Sequence, residues 1–82
     1  METDETKKWL SERFGIPPED VLWYNAGSCY SRIIVSTRES AEKVREKVKG
    51  GTVNGGMLDG MPLGSISEHE QEGGVITYSI YC

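Results

Sequence analysis

Residues 29–50 read CYSRIIVSTRESAEKVREKVKG, and the spacing of the apolar residues changes within this stretch. Residues 29–36 are typical of a β-strand, in which successive side chains point to opposite faces of a sheet. From residue 37 onward, Ala41, Val44 and Val48 recur at intervals of three and four, which predicts a helix over residues 37–49 with a narrow apolar stripe. The stretch therefore predicts a strand followed by a helix that packs with one side on a sheet.

The boundary between this strand and this helix carries its own signal. Residues 36–39, STRE, match a capping box, in which a hydroxyl serves a free amide of the first turn and Glu39 reaches back. Gly50 ends the helix. The strand itself has apolar residues on both faces, Ile33 and Val35 on one and Tyr30 and Ile34 on the other. The sequence therefore leaves open which face is buried.

The N-terminal part of the chain predicts one helix and one hairpin. Residues 3–14 carry an apolar stripe, and Gly15 and Pro17 end the helix. A single helical turn is expected at residues 18–20. Residues 21–24 form a short apolar run that we expect to pair with the strand at 29–36 through a turn.

The C-terminal part predicts turns and two more strands. Six of the fifteen residues from 50 to 64 are glycine, which indicates turns, with a short strand near residues 52–53. Strands are expected at 63–68 and 75–81, joined by a polar turn at 70–74. The whole chain, residues 1–82, then forms one α+β domain: an antiparallel sheet of about four strands with two helices on one face, in the order α-β-β-α-β-β.

Positive charge is confined to the first part of the chain. All nine Lys and Arg residues lie within residues 1–49. The Asp and Glu residues after this segment are Asp59, Glu68, Glu70 and Glu72. With a net charge of −4, the chain lacks the basic surface that phosphate contacts require, which argues against binding to nucleic acid. The acids favour a cationic partner. The simpler alternative is that they only keep the protein soluble.

Motifs for catalysis and for cofactor binding are not found in the sequence. The glycines follow a helix and match neither phosphate-binding pattern, and His69 stands outside any zinc spacing. A nucleophilic pair of Cys29 and His69, oriented by Asp59, has no support from spacing. We therefore expect no enzyme, no metal site and no cofactor.

The two cysteines and the polar N-terminus bear on the compartment. The N-terminal residues are acidic, and no apolar run approaches the length of a membrane span, so we expect a cytoplasmic protein with no membrane contact. Cys29 and Cys82 are then expected to be reduced thiols. A Cys29–Cys82 bridge that ties down the last strand is the alternative.

In its small size, its acidic charge and its lack of catalytic motifs, the chain resembles the single-domain inhibitors that phages encode against host defences, including anti-CRISPR proteins. The resemblance implies a non-enzymatic binding protein that blocks a basic nucleic-acid-binding surface of a larger host protein. The residues expected to contact such a partner are the four acids and two tyrosines of the C-terminal part: Asp59, Glu68, Glu70, Glu72, Tyr78 and Tyr81.

Two further hypotheses remain open. The helix at residues 38–49 carries five cations against three glutamates, so a small nucleic-acid- or ligand-binding regulator that uses this helix is the alternative function. Residues 75–81 contain neither Lys nor Pro, the residues that protect exposed strands. If they form an edge strand, a homodimer or the addition of a partner's strand is expected.

Overall fold

Helix α1 opens the fold in the computed structural model, which describes residues 4–27 and 30–82. Its C-terminal end follows the predicted signal, because Gly15 takes a φ of 68° and donates its amide to the Ser11 carbonyl at 2.8 Å. The helices and strands, in chain order, are α1 (Asp4–Phe14), β1 (Val21–Ala26), β2 (Ser31–Val35), α2 (Arg38–Val48), β3 (Ile66–Glu70) and β4 (Ile76–Tyr81), with 3₁₀ turns at Pro18–Asp20 and Glu72–Gly74. This confirms the α+β class and the order α-β-β-α-β-β.

The four strands form one antiparallel sheet in the spatial order β1-β2-β4-β3. Both helices pack on the same face. Ile33 lies at its centre, opposite Tyr24 on one side and Ile80 on the other. The buried core joins the two helices to this face through Leu10, Phe14, Ile16, Val21, Ile33, Val35, Ala41, Val44 and Ile80. Packing thus decides what the alternation left open: Ile33 and Val35 are buried, whereas Ile34 lies on the face without helices.

Three expectations about the strands are corrected by the structure. β4 is an inner strand between β2 and β3, so the premise that residues 75–81 form an edge is wrong, and the edges are β1 and β3. β3 begins at Ile66 and not at residue 63, since residues 63–65 still belong to the loop that crosses from α2. The strand expected near residues 52–53 consists of one bridge between Thr52 and Pro62.

The N-terminus of α2 is held by a carboxylate from outside the helix. Asp20 accepts hydrogen bonds from three hydroxyls, Ser36 Oγ at 3.1 Å, Thr37 Oγ1 at 3.1 Å and Ser40 Oγ at 2.7 Å. These bonds, above all that from Ser40, lower the pKa of the Asp20 carboxyl below its ordinary value of 3.8. Asp20 therefore connects the start of β1 to the start of α2.

The prediction of a capping box at residues 36–39 is only partly correct. Thr37 is the N-cap, as its hydroxyl accepts a hydrogen bond from the Ser40 amide at 3.2 Å. The third helical residue is then Ser40, so Glu39 stands one position too early for the reciprocal bond, and it pairs with Lys43 instead at 3.7 Å.

Among the residues that the structure describes, no helix has the length and apolar character needed to cross a bilayer.

Candidate functional site

Three carboxylates gather at the free edge strand of the sheet. Glu68 and Glu70 alternate with His69 along β3, and Glu72 follows in the 3₁₀ turn that leads to β4. All of these side chains are exposed. We call Glu68, Glu70 and Glu72 the acidic edge. It corrects one detail of the prediction: Glu70, expected in the turn at residues 70–74, belongs to the strand with Glu68, and Glu72 lies in the turn.

The acidic edge is only partly neutralised. Arg38 Nη1, at the start of α2, lies 2.6 Å from Glu68 Oε1, and its Nε also lies 3.5 Å from Glu42. Within residues 4–27 and 30–82, Glu70 and Glu72 have no ion pair. The Arg38–Glu68 pair is more than half exposed on both sides, and such pairs contribute about 0–1 kcal/mol. Most of the negative charge is therefore available to another molecule.

The other three predicted contact residues do not extend the acidic edge into one exposed surface. Tyr78 is opposite Glu68 in the register, but it is half-buried and packs against the core. Tyr81 lies on the face without helices, with its ring edge-on to that of Tyr30 at 4.9 Å between centroids. Asp59 accepts the Gly55 amide at 2.6 Å within the glycine-rich loop. The structure therefore does not bring all six residues together on one surface.

The face of the sheet without helices carries a pocket of about 430 Å³. Asn25, Arg32 and Tyr81 lie side by side across β1, β2 and β4, and Trp23 is two residues before Asn25 on the same face. The glycine-rich loop completes the wall. We call this site the aromatic pocket: Trp23, Asn25, Tyr30, Arg32, Tyr81 and residues 55–58. Its volume is in the range of small-molecule sites.

Among the described residues that line the aromatic pocket, Arg32 is the only charged one. Its guanidinium carbon lies 5.8 Å from the centroid of the Trp23 ring, a cation–π distance. Its Nε is buried, and no group in the described part of the chain accepts a hydrogen bond from it. An unpaired buried donor typically costs about 1–3 kcal/mol. Sequence reasoning placed Arg32 on a strand face but did not single it out, because its neighbours come from three other segments.

A second, larger hollow of about 650 Å³ runs beside α2, on the other face of the sheet. Its lining mixes cations with acids: Lys43, Arg45, Lys47 and Lys49 with Glu39, Glu42 and Glu46. Because the acids lie among the cations, this helix offers no continuous basic surface. The structure thus adds nothing in favour of the alternative function at residues 38–49.

Cys82 and His69 are the one cysteine and the one histidine in the described part of the chain. Burial raises the pKa of the Cys82 thiol to about 11, against the opposing effect of Arg13. Cys82 is a free thiol, and the predicted alternative bridge to Cys29 lies outside the described residues. His69 Nε2 is 3.4 Å from Ser79 Oγ. Over the described part of the chain, no group of three His, Cys, Asp or Glu side chains is placed to hold a metal ion.

Comparison of the chain with family models, with curated proteins and with solved structures finds no match. Function is therefore argued from the surfaces themselves.

Proposed function

We propose that this chain is a non-enzymatic binding protein, an inhibitor of the anti-CRISPR kind, whose acidic edge contacts a basic nucleic-acid-binding surface of a larger protein. The observation that supports the proposal is the position of the acids. Glu68 and Glu70 are exposed on the free strand of an open sheet and Glu72 on the turn that follows it, with Arg38 as their one ion-pair partner within the described residues.

An edge strand offers two kinds of contact at once. Its outward backbone groups can pair with an added strand, and its side chains set which strand is accepted. Carboxylates on β3 attract a strand or groove rich in Lys and Arg. They also raise the rate of encounter with a basic surface, because the attraction acts before contact is made.

The same charges bear on the hypothesis of a homodimer. If two copies paired through β3, their glutamates would lie opposite or diagonal to one another, and like charges in such positions are destabilising. β1 is the other edge and carries no acid between Val21 and Ala26. The acidic edge is therefore better suited to a different, basic partner than to a second copy of this chain.

The test uses two variants of equal charge. Glu68→Gln, Glu70→Gln and Glu72→Gln together remove three acids from the edge. Glu5→Gln, Glu12→Gln and Glu19→Gln remove three exposed acids from the N-terminal part. Each variant changes the net charge from −4 to −1, since three negative charges are lost from the same total. The immobilised proteins are used to capture partners from a lysate, and the bound proteins are eluted with duplex DNA.

The expected result is a nucleic-acid-binding protein that is retained by the wild type and by the N-terminal variant but not by the edge variant. Its association should slow steeply as salt rises, because exposed charges are screened over about 10 Å at 0.1 M salt. Equal capture by both triple variants would refute the proposal, since position and not total charge is what it requires.

A further inference from the structure

We propose that the aromatic pocket binds a small molecule that carries a carboxylate or a phosphate on a flat apolar ring. This site lies on the opposite face of the sheet from the helices and does not depend on the acidic edge. Its lining combines aromatic rings, two flexible apolar side chains at Met57 and Leu58, and one cation.

The charge of the pocket lining favours an anionic ligand. The chain has thirteen acids and a net charge of −4, yet among the described residues that line this pocket there is no acid, and Arg32 is the only charged one. All three of the ion pairs found among the described residues lie on α2 and β3. A cationic ligand would be repelled by Arg32, whereas an oxyanion would be attracted.

The guanidinium of Arg32 has the geometry to bind an oxyanion. Arg32 is held over Trp23, and its buried Nε lacks an acceptor. A guanidinium binds carboxylates and phosphates through two parallel N–H groups, which is the strongest hydrogen-bonding arrangement open to it. Because Nε is buried, the guanidinium must turn toward the pocket for Nε and one Nη to donate together to an anion.

The aromatic rings of the lining favour a flat apolar ring in the rest of the ligand. Trp23, Tyr30 and Tyr81 line the same pocket as Arg32, and the Tyr30 and Tyr81 rings already meet edge-on. A flat ring attached to the anion can pack against these rings and cover Met57, which is fully exposed. The anion supplies orientation and the ring supplies buried apolar area, as is usual in small-molecule sites.

The experiment is an NMR titration of the labelled protein that follows the Trp23 indole and the Arg32 guanidinium signals. The probes are phenyl phosphate and benzoate, with inorganic phosphate lacking the ring and benzylamine carrying the opposite charge. We expect saturable shifts with at least one ringed anion at about millimolar concentration, and weaker or no shifts with the two comparison compounds. The comparison of phenyl phosphate with benzoate shows whether the pocket prefers a phosphate or a carboxylate.

A matched variant makes the test specific. Arg13 also lies 5.8 Å from a tryptophan ring, that of Trp9, but on the surface of α1 outside the pocket. Arg32→Gln should weaken binding by about tenfold to a hundredfold, whereas Arg13→Gln should leave it unchanged. Arg32→Lys keeps the charge without the paired donors and should fall between the two.

The proposal is overturned if neither ringed anion shifts the Trp23 and Arg32 signals up to roughly 20 mM, well above the expected midpoint. It is also overturned if benzylamine shifts the same signals as strongly, or if Arg32→Gln binds as well as Arg13→Gln. Amide spectra of each variant show whether the sheet is intact, so that loss of folding is distinguished from loss of the site.

Discussion

The acidic edge and the aromatic pocket are opposite in charge although they belong to one small sheet. The edge presents three carboxylates along an outer strand and the turn after it, and the pocket presents one guanidinium among aromatic rings. At the edge, the charges are numerous, exposed and screened by salt. At the pocket, a single charge is partly buried, so its hydrogen bonds count for more. The comparison shows that the overall charge of −4 does not describe every surface of this protein.

The two regions also differ in how they are supported. The edge depends on β3 and the turn that follows it, with the Arg38–Glu68 ion pair as a contact to α2. The pocket depends on three strands and on the loop after α2, which is tied to β4 by the Gly64 amide and the Tyr81 carbonyl at 2.9 Å. Changes in the scaffold should therefore affect the pocket before they affect the edge.

The largest effect is expected from Asp20→Ala, because Asp20 supports both regions. It anchors β1, which carries Trp23, and α2, which carries Arg38. Loss of the three hydroxyl bonds should lower the free energy of unfolding by about 2–3 kcal/mol, measured by urea denaturation near neutral pH.

The stability lost in Asp20→Ala should depend on pH. The pKa of Asp20 is lowered in the folded protein, so its contribution is fully present above the ordinary value of 3.8 and is lost as the pH falls through the folded value. The difference in stability between wild type and Asp20→Ala should therefore shrink as the solution is acidified below about pH 3.8. A difference that stays constant would show that the carboxylate is not the cause.

A smaller effect, confined to the pocket, is expected from Gly27→Ala. The Gly27 amide donates to the Tyr30 carbonyl at 2.9 Å, and a Cβ on Gly27 would lie only 2.5 Å from that oxygen. The distance between Gly27 and the Tyr30 carbonyl must therefore increase, so Tyr30 has to shift. We expect a loss of about 1–2 kcal/mol by thermal or urea unfolding and weaker binding of phenyl phosphate. Capture of a basic partner at the acidic edge should not change, and a parallel loss there would contradict the independence of the two regions.

The smallest effect on stability is expected from Glu68→Gln. The Arg38–Glu68 pair is exposed, so its removal should cost less than about 1 kcal/mol by the same unfolding measurement. Association with a basic partner should nevertheless slow, and the slowing should disappear at high salt. Signals of the aromatic pocket should stay in place. A large loss of stability would mean that this ion pair is structural and not available for binding.

Much of the local structure was predictable, since it rests on short-range periodicity and turn residues. The stripe at Ala41 and Val44, the alternation along β4 and the stop at Gly15 all appear where expected. The sequence also located the acids at Glu68, Glu70 and Glu72. It did not identify Arg32, because the residues that give Arg32 its environment are separated from it along the chain and meet only in the folded sheet.

By itself, then, the sequence determined the α+β class, the order of the elements and the confinement of positive charge to residues 1–49. Only the tertiary structure decided that β4 is an inner strand, that Ile33 and Val35 are buried, and that Tyr78 packs against the core whereas Tyr81 lines the aromatic pocket. The physical reason is that periodicity shows which residues share a face of one strand or helix. The order of strands and the side that helices cover follow from packing over the whole chain.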